Sequence, residues 1–154
     1  MLRPLAIIAV LAISLGLACG GGDGDGTATI VVIGGDEGEG VELTVELART
    51  AGERSRGLML REELAEDGGM LFVFPGDTEA GFWMKDTLVS LSIAFIAEDG
   101  TILDIQDMEP LSEDKHRPPA PYRYALEVNQ GWFEERGFGT GDRVEIPDGV
   151  TEGE

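Results

Sequence analysis

Residues 91–108 read LSIAFIAEDGTILDIQDM, and this stretch determines the fold class more clearly than any other part of the sequence. Two runs rich in apolar residues, 91–97 and 101–108, flank the pair Asp99-Gly100. Asp-Gly between two such runs is a strong signal for a β-hairpin, because both residues tolerate the positive φ angles of a tight turn. The stretch therefore predicts two antiparallel strands.

The segments around this hairpin extend the same pattern. Apolar and polar residues alternate along 41–48 (VELTVELA), which is typical of a half-buried strand. Other apolar runs bounded by turn residues predict further strands at 27–33, 70–74, 81–85, 122–128 and 143–146. Together they predict a mainly β domain, either an antiparallel β-sandwich or a partly open barrel.

Two or three short helices are expected beside the strands. Thr50 and Glu53 have the spacing of a capping box, and Gly57 provides a stop. The predicted helical segments are 51–56, 61–65 and a turn that Asn129 would cap and Gly137 would end.

The N-terminus has the features of an export signal with a lipid attachment site. Leu5–Leu17 is an apolar run of 13 residues, too short for a membrane-spanning helix, which needs about 20. The run ends in Gly-Leu-Ala-Cys, which resembles a lipobox with its cysteine at Cys19. We expect a signal peptide at 1–18 and a diacylated Cys19. Plain secretion and an uncleaved anchor are the alternatives.

Composition then divides the remaining chain. The Gly- and Asp-rich stretch after Cys19 predicts a flexible tether over 19–40. A single β-rich domain is expected at 41–147, followed by a polar, disordered tail at 148–154.

The charge balance limits the partners. The chain carries 30 acidic and 11 basic residues, a formal net charge of −19. Such a surface repels nucleic-acid phosphates and anionic lipid headgroups, so we expect no nucleic-acid partner and a membrane contact only through the lipid on Cys19. The expected location is the extracytoplasmic cell envelope.

Seven ordered blocks resemble the bacterial and archaeal domain-of-unknown-function family number 192. Among them are RGLMLRE (56–62), GGMLFVFP (68–75), FWMKDTLVSLSIAFI (82–96) and LEVNQGW (126–132). The resemblance extends over about residues 41–147. It implies a compact β-rich fold and no particular activity.

Few residues suit nucleophilic or metal chemistry. Cys19 is the only cysteine, and the single histidine, His116, lies in a proline-rich loop. A zinc site needs three or four N, S or carboxylate ligands, so we predict no metal, cofactor or catalytic residue.

Charged and aromatic residues inside apolar blocks form the candidate site: Arg56, Arg61, Trp83, Lys85 and Glu127. In the functional interpretation the three bases bind an anionic group, Trp83 offers a stacking surface, and Glu127 orients a polar ligand atom. In the alternative interpretation these charges form internal ion pairs, for example Arg61 with Glu127, because an interior charge needs a partner.

Two functions remain open on this sequence. The preferred hypothesis is a non-enzymatic binding or interaction module of the cell envelope. The alternative is a carboxylate-based hydrolase, for example one that acts on glycans. It would require two carboxyl groups across a cleft.

Overall fold

The chain folds into one curled, seven-stranded sheet. The computed structural model describes residues 26–34, 38 and 40–150. The strands are β1 (Thr27–Ile33), β2 (Gly40–Ala48), β3 (Gly68–Thr78), β4 (Leu91–Ile96), β5 (Ile102–Met108), β6 (Tyr122–Asn129) and β7 (Arg143–Glu145), in the sheet order β5-β4-β6-β3-β2-β1-β7. The helices are α1 (Ala51–Arg56), α2 (Trp132–Glu135) and a 3₁₀ turn at Asp148–Val150. The predicted mainly β class and the partly open barrel are confirmed, and the described strands form no second sheet that would make a sandwich.

The sheet curls because its two edge strands meet at the β4–β5 turn. Val144 N donates to Gly100 O at 2.8 Å, and Ile102 N donates to Asp142 O at 2.8 Å. Gly100 has a φ of 87°, and a Cβ at this position would lie 2.4 Å from Val144 O. Only glycine permits this approach, so the Asp99-Gly100 turn both joins the predicted hairpin and brings the edges together.

One strand pairing differs from the expected antiparallel pattern. β2 and β3 are parallel, with Thr44 opposite Gly68 and Ala48 opposite Phe72. Parallel neighbours need a crossover connection, and here α1 with the loop 57–67 supplies it. Periodicity predicts strands, but it does not reveal the direction of their pairing.

Side-chain alternation along the strands produces two apolar clusters on opposite faces of the sheet. We call them the inner and outer faces. The inner face carries residues from all seven strands together with Trp132, Phe133 and Phe138 of the α2 region. The outer face carries Phe72, Phe95 and their neighbours, and α1 and the long loops cover it.

Several local predictions are confirmed. The 91–108 stretch forms β4 and β5 in an antiparallel pair. Thr50 Oγ1 accepts from Glu53 N at 3.2 Å and Glu53 Oε2 accepts from Thr50 N at 2.9 Å, which is the capping box at the start of α1.

Two predicted elements do not form. The segment 61–65 is a loop rather than a helical turn, and Ala65 O accepts from Asn129 Nδ2 at 2.9 Å. Asn129 was expected to cap α2, but its side chain makes this bond instead, and the N-cap of α2 is Gly131. The segment 81–85 forms only one isolated bridge, between Phe82 and His116, because it lies over the sheet instead of within it.

The folded region extends beyond the expected boundaries. β1, which falls in the segment assigned to the tether, pairs with both β2 and β7 and buries Ile30 and Val32 completely. At the other end the expected tail begins with an ordered turn that buries Val150. Both additions fill the inner core.

The expected signal peptide, Cys19 and most of the tether lie outside the described residues. Within residues 26–150, no helix of the described parts has the length and apolar character to cross a membrane.

Candidate functional site

A cleft of about 380 Å³ opens on the outer face. One wall is α1 with the turn at 57–59, and the other is the segment 80–83. Phe72 and Phe74 of β3 contribute apolar surface, and Glu127 of β6 also lines the cleft. The cleft therefore exists only where the covering segments meet the sheet.

The first wall is fixed by contacts between α1 and β3. Arg54 Nη1 donates to Val73 O at 2.9 Å, and its guanidinium lies 5.1 Å from the centre of the Phe74 ring. Gly57 ends the helix with a φ of 48°, and a Cβ there would lie 3.3 Å from Phe72 Cζ. Arg54 thus holds the wall in place, and Gly57 lets the wall approach the aromatic ring.

The second wall is held by bonds to two distant segments. Tyr122 Oη donates to Ala80 O at 2.6 Å. Phe82 and His116 exchange backbone hydrogen bonds of 3.0 and 2.8 Å. The Phe82 ring then packs edge-on against Phe72 with ring centres 4.9 Å apart, so the cleft has rigid aromatic walls.

Glu127 is the unusual group of the cleft. Its side chain is buried, with 4% of the residue exposed, and its register neighbours Met70 and Ile93 are both apolar. Its carboxyl has no hydrogen bond or ion pair with any residue in the described part of the chain. Burial raises the pKa of the Glu127 carboxyl to about 8. The group is therefore mainly protonated at neutral pH and can donate as well as accept a hydrogen bond.

Bases and an indole surround the mouth of the cleft. Trp83 is 37% exposed, and Lys115 Nζ lies 3.4 Å from the centre of its ring. Lys85 Nζ lies 5.4 Å from the same ring. Arg56, at the end of α1, is exposed and lines the cleft. The mouth thus offers cations for an anionic group beside flat apolar surface.

Of the five residues predicted as the ligand site, the fold brings Arg56, Trp83 and Glu127 to the cleft lining. Lys85 contacts the Trp83 ring but does not line the cleft. Arg61 lies in a separate pocket of about 420 Å³ beside β2.

The internal ion pairs of the alternative interpretation do not form among the described residues. Arg61 Nη2 pairs with Glu46 at 2.6 Å instead of with Glu127. Lys85 is exposed, so it is not the interior partner of a buried carboxylate. Trp83 is partly exposed and is not a core residue. Trp132, by contrast, is buried in the inner core, and its Nε1 donates to Asp67 Oδ1 at 3.0 Å.

Sequence reasoning missed Lys115 and the aromatic walls. Lys115 lies in the loop that precedes β6, 32 positions after Trp83, and no spacing pattern connects the two. Phe72 and Phe82 each read as ordinary strand residues. A metal centre is not indicated either, since the described residues contain no cluster of three or more His, Cys, Asp or Glu side chains.

The sequence blocks and the fold coincide with those of known relatives. The model of the DUF192 family, described as "Uncharacterized ACR", matches residues 32–146. The chain belongs to this family. The earlier resemblance is thereby confirmed, and the family description assigns no activity.

Two crystal structures resemble this chain closely. One, from Sinorhizobium meliloti 1021, is described as a candidate transcription regulator; it is 39% identical, with a TM-score of 0.74 over 77% of this chain and 92% of that one. The other is a protein of unknown function from Novosphingobium aromaticivorans DSM 12444, 33% identical, with a TM-score of 0.74 over 78% and 85%. No curated protein matches the chain.

Proposed function

We propose that this protein is a binding module of the cell envelope, tethered to a membrane through a lipid on Cys19, and that its outer-face cleft takes a small ligand. The ligand's polar group bonds with Glu127, its anionic group contacts Arg56 and Lys115, and its flat apolar part lies against the aromatic walls. The observation that carries the proposal is the buried Glu127 carboxyl with no partner among the described residues.

A carboxyl in this position lowers the stability of the fold. Moving it from water to an apolar site costs free energy, and no hydrogen bond with a described residue offsets the cost. A buried acid with a strongly raised pKa in a cleft is more common at functional sites than in purely structural positions. A ligand would supply the missing partner, which explains why an acid is useful here.

The charge state of Glu127 selects the ligand chemistry. The protonated carboxyl can donate to a hydroxyl, ether or carbonyl oxygen and can accept from an N–H or O–H group. The bases at the mouth favour an acidic group at the outer end of the same molecule. A small acid with a hydroxyl, carbonyl or amide function and an apolar portion fits both.

The hydrolase alternative is less well supported. Glycoside cleavage uses two carboxyl groups facing each other across the substrate. Among the described residues that line this cleft, Glu127 is the only Asp or Glu. A lone protonated carboxyl suits recognition better than this two-carboxyl reaction.

The description of the Sinorhizobium relative as a candidate regulator does not lead us to propose DNA contact. The net charge of −19 repels a phosphate backbone and opposes direct binding. Any regulatory role of this chain would therefore act through another partner.

The ligand is best sought by a thermal-shift screen of the protein against small carboxylic acids, sugars, nucleotides and envelope extracts. A ligand at 100 times its Kd stabilises the folded state by about 2.7 kcal/mol. The shift should disappear in Arg56→Ala and in Glu127→Leu, which removes both the donor and the acceptor of the carboxyl, whereas Arg61→Ala, outside the cleft, should keep it. A shift that survives both cleft variants would place the ligand elsewhere.

The anchor is tested separately. Cys19→Ser removes the thiol that accepts the diacylglyceryl group, so labelled palmitate should no longer be incorporated. Palmitate labelling equal to that of the unsubstituted protein would exclude Cys19 as the site.

A further inference from the structure

The large apolar side chains exposed in the described part of the chain lie on only three segments. They are Leu60 at 74% exposure, Leu111 at 59%, Leu88 at 45% and Trp83 at 37%. We call this set the leucine tip. Single exposed leucines are ordinary, but a concentration of all of them on neighbouring loops points to an interaction surface.

Backbone hydrogen bonds join these three segments. Leu60 N donates to Asp86 O at 2.8 Å, and Leu111 N donates to Thr87 O at 3.0 Å. Met84 N donates to Ser112 O at 2.8 Å. The exposed leucines therefore lie on loops fixed to one another.

The backbone of the tip is also unusual. Leu60, Asp86 and Leu111 have φ angles of 62°, 56° and 63° and are the non-glycine residues with positive φ in the described chain. Leucine seldom adopts this conformation, because its Cβ then crowds the backbone. Two of the three donate the hydrogen bonds that tie the loops, so these bonds hold the leucines in exposed positions.

The tip lacks the negative charge of the rest of the molecule. The segments 54–63, 83–88 and 109–117 carry six bases and six acids, and both lysines of the chain are among them. The formal net charge of −19 therefore comes from acidic residues outside these three segments. Net charge argued against any peripheral lipid contact, but that argument does not apply to this end of the molecule.

The N-terminal chain enters the domain beside the tip. Thr27 is in register with Glu46, and Gly26 O accepts from Leu47 N at 2.8 Å. Glu46 holds Arg61, which directly follows Leu60. Six residues lie between Cys19 and Gly26, and the seven Cα–Cα steps that join the two span at most ~25 Å. A lipid on Cys19 would keep this side of the domain close to the bilayer.

We propose that the leucine tip docks on the phospholipid bilayer, with its leucines and Trp83 entering the interface. This inference rests on the lipid anchor proposed above. Burial of the apolar side chains in the bilayer interface would stabilise the docked state, so docking needs no anionic lipid. The short link to the lipid anchor keeps the tip at a high effective concentration near the bilayer. Docking brings the mouth of the cleft, where Trp83 and Lys115 lie, to the membrane surface.

The experiment uses the full, lipid-bearing protein reconstituted into phosphatidylcholine vesicles with and without brominated acyl chains. Bromine should quench the fluorescence of Trp83, while Trp132, which is 2% exposed in the inner core, should contribute a constant background. Leu60→Ser, Leu88→Ser and Leu111→Ser combined should reduce the quenching by about threefold or more, because the apolar contact is lost. About 0.5 M salt should leave it unchanged.

A control probe distinguishes docking from simple proximity. Glu134 is exposed on α2, which packs against the inner face. Glu134→Trp in a Trp83→Phe background should show no quenching above the Trp132 background. Equal quenching of Trp83 and of the tryptophan at position 134 would overturn the docking proposal but not the lipid anchor. The absence of quenching at Trp83 in protein that floats with the vesicles would do the same. The second result would point to a protein partner for the tip. Protein that does not float with the vesicles would overturn the anchor as well.

Discussion

The two faces of the sheet differ in the groups that they bury. The inner face draws on all seven strands and is completed by Trp132 and Phe133 of α2. Its buried polar residue, Ser92, is hydrogen-bonded, because its hydroxyl donates to Asp107 Oδ1 at 2.6 Å. The outer face has an aromatic cluster around Phe72, but it also contains Glu127, whose carboxyl has no partner in the part of the chain that the structure describes. Helix α1 and irregular loops cover this face. On the inner face the buried polar group has a hydrogen-bond partner, whereas the outer face retains a buried acid that lowers the stability of the fold.

This difference locates function. A protein can keep a destabilising group when another part of the structure supplies enough stability, and such groups concentrate at binding sites. The inner face supplies the stability, and the outer face carries the cleft and the leucine tip. Substitutions on the two faces should therefore differ in both size and sign.

The largest effect is expected from removing β1. Deleting residues 1–34 exposes the inner-face neighbours of Ile30 and Val32 and leaves β7 without its partner strand. We expect the cooperative unfolding transition in urea, followed by circular dichroism, to disappear. Deleting residues 1–25 should leave it intact. A cooperative transition in a chain that starts at Val41 would show that β1 is dispensable, as the sequence had suggested.

Trp132→Ala tests the inner face by a single side chain. The ring is buried against Phe138, with ring centres 5.7 Å apart, and its loss should cost about 3–5 kcal/mol in free energy of unfolding. The matched outer-face change, Phe82→Ala, removes a partly exposed ring and should cost less. Urea unfolding of both variants gives the comparison, and a larger loss for Phe82→Ala would reverse the assignment of the two faces.

Glu127→Gln should stabilise the protein, and the gain should depend on pH. The folded-state pKa of about 8 lies above the ordinary glutamate pKa of 4.5, so the folded state of the unsubstituted protein binds the proton more tightly than the unfolded state does. Its stability is therefore greatest below about pH 4.5 and falls as the pH rises to about 8.

Glutamine does not titrate, so the variant should gain about 4–5 kcal/mol near pH 8.5 and little near pH 4.5. Urea unfolding across this range measures the difference, with Glu42→Gln at an exposed position of β2 as control. A difference that does not change with pH would mean that Glu127 titrates normally in the fold.

Lys85→Ala should have the smallest effect. The side chain is exposed, and its described contact is with the Trp83 ring at 5.4 Å. Surface changes of this kind usually stay within about 0.5 kcal/mol. A loss above about 3 kcal/mol in urea unfolding would instead reveal a buried carboxylate that depends on Lys85.

Local sequence signals predicted the regular elements well. The 91–108 hairpin, the alternation in β2 and the Thr50–Glu53 capping box depend on residues close together in the chain, so their physics can be read from neighbours. The predictions of a helical turn at 61–65 and a strand at 81–85 were wrong, because the structure of these segments depends on distant residues. Their backbone groups bond with Asn129, His116 and Ser112, partners between 28 and 65 residues away that no local pattern reveals.

The candidate site was predicted in part for the same reason. A charged residue inside an apolar block is visible in the sequence, and this brought out Glu127 and Arg56. Whether such a charge has a partner depends on which strands adjoin it. If its role was structural, Glu127 was expected to pair with Arg61. In the structure Arg61 pairs with Glu46 instead, and the strand register places Met70 and Ile93 beside Glu127.

The sequence by itself determined the mainly β class, the family, the hairpin and the helix α1, because turn chemistry, alternation and capping act over a few residues. Only the tertiary structure decided the parallel pairing of β2 with β3, the inclusion of β1 in the sheet, and the position of the exposed leucines on neighbouring loops. It also decided that the Glu127 carboxyl has apolar neighbours and no polar partner among the described residues. These features depend on strand order and register, and contacts between distant parts of the chain set both.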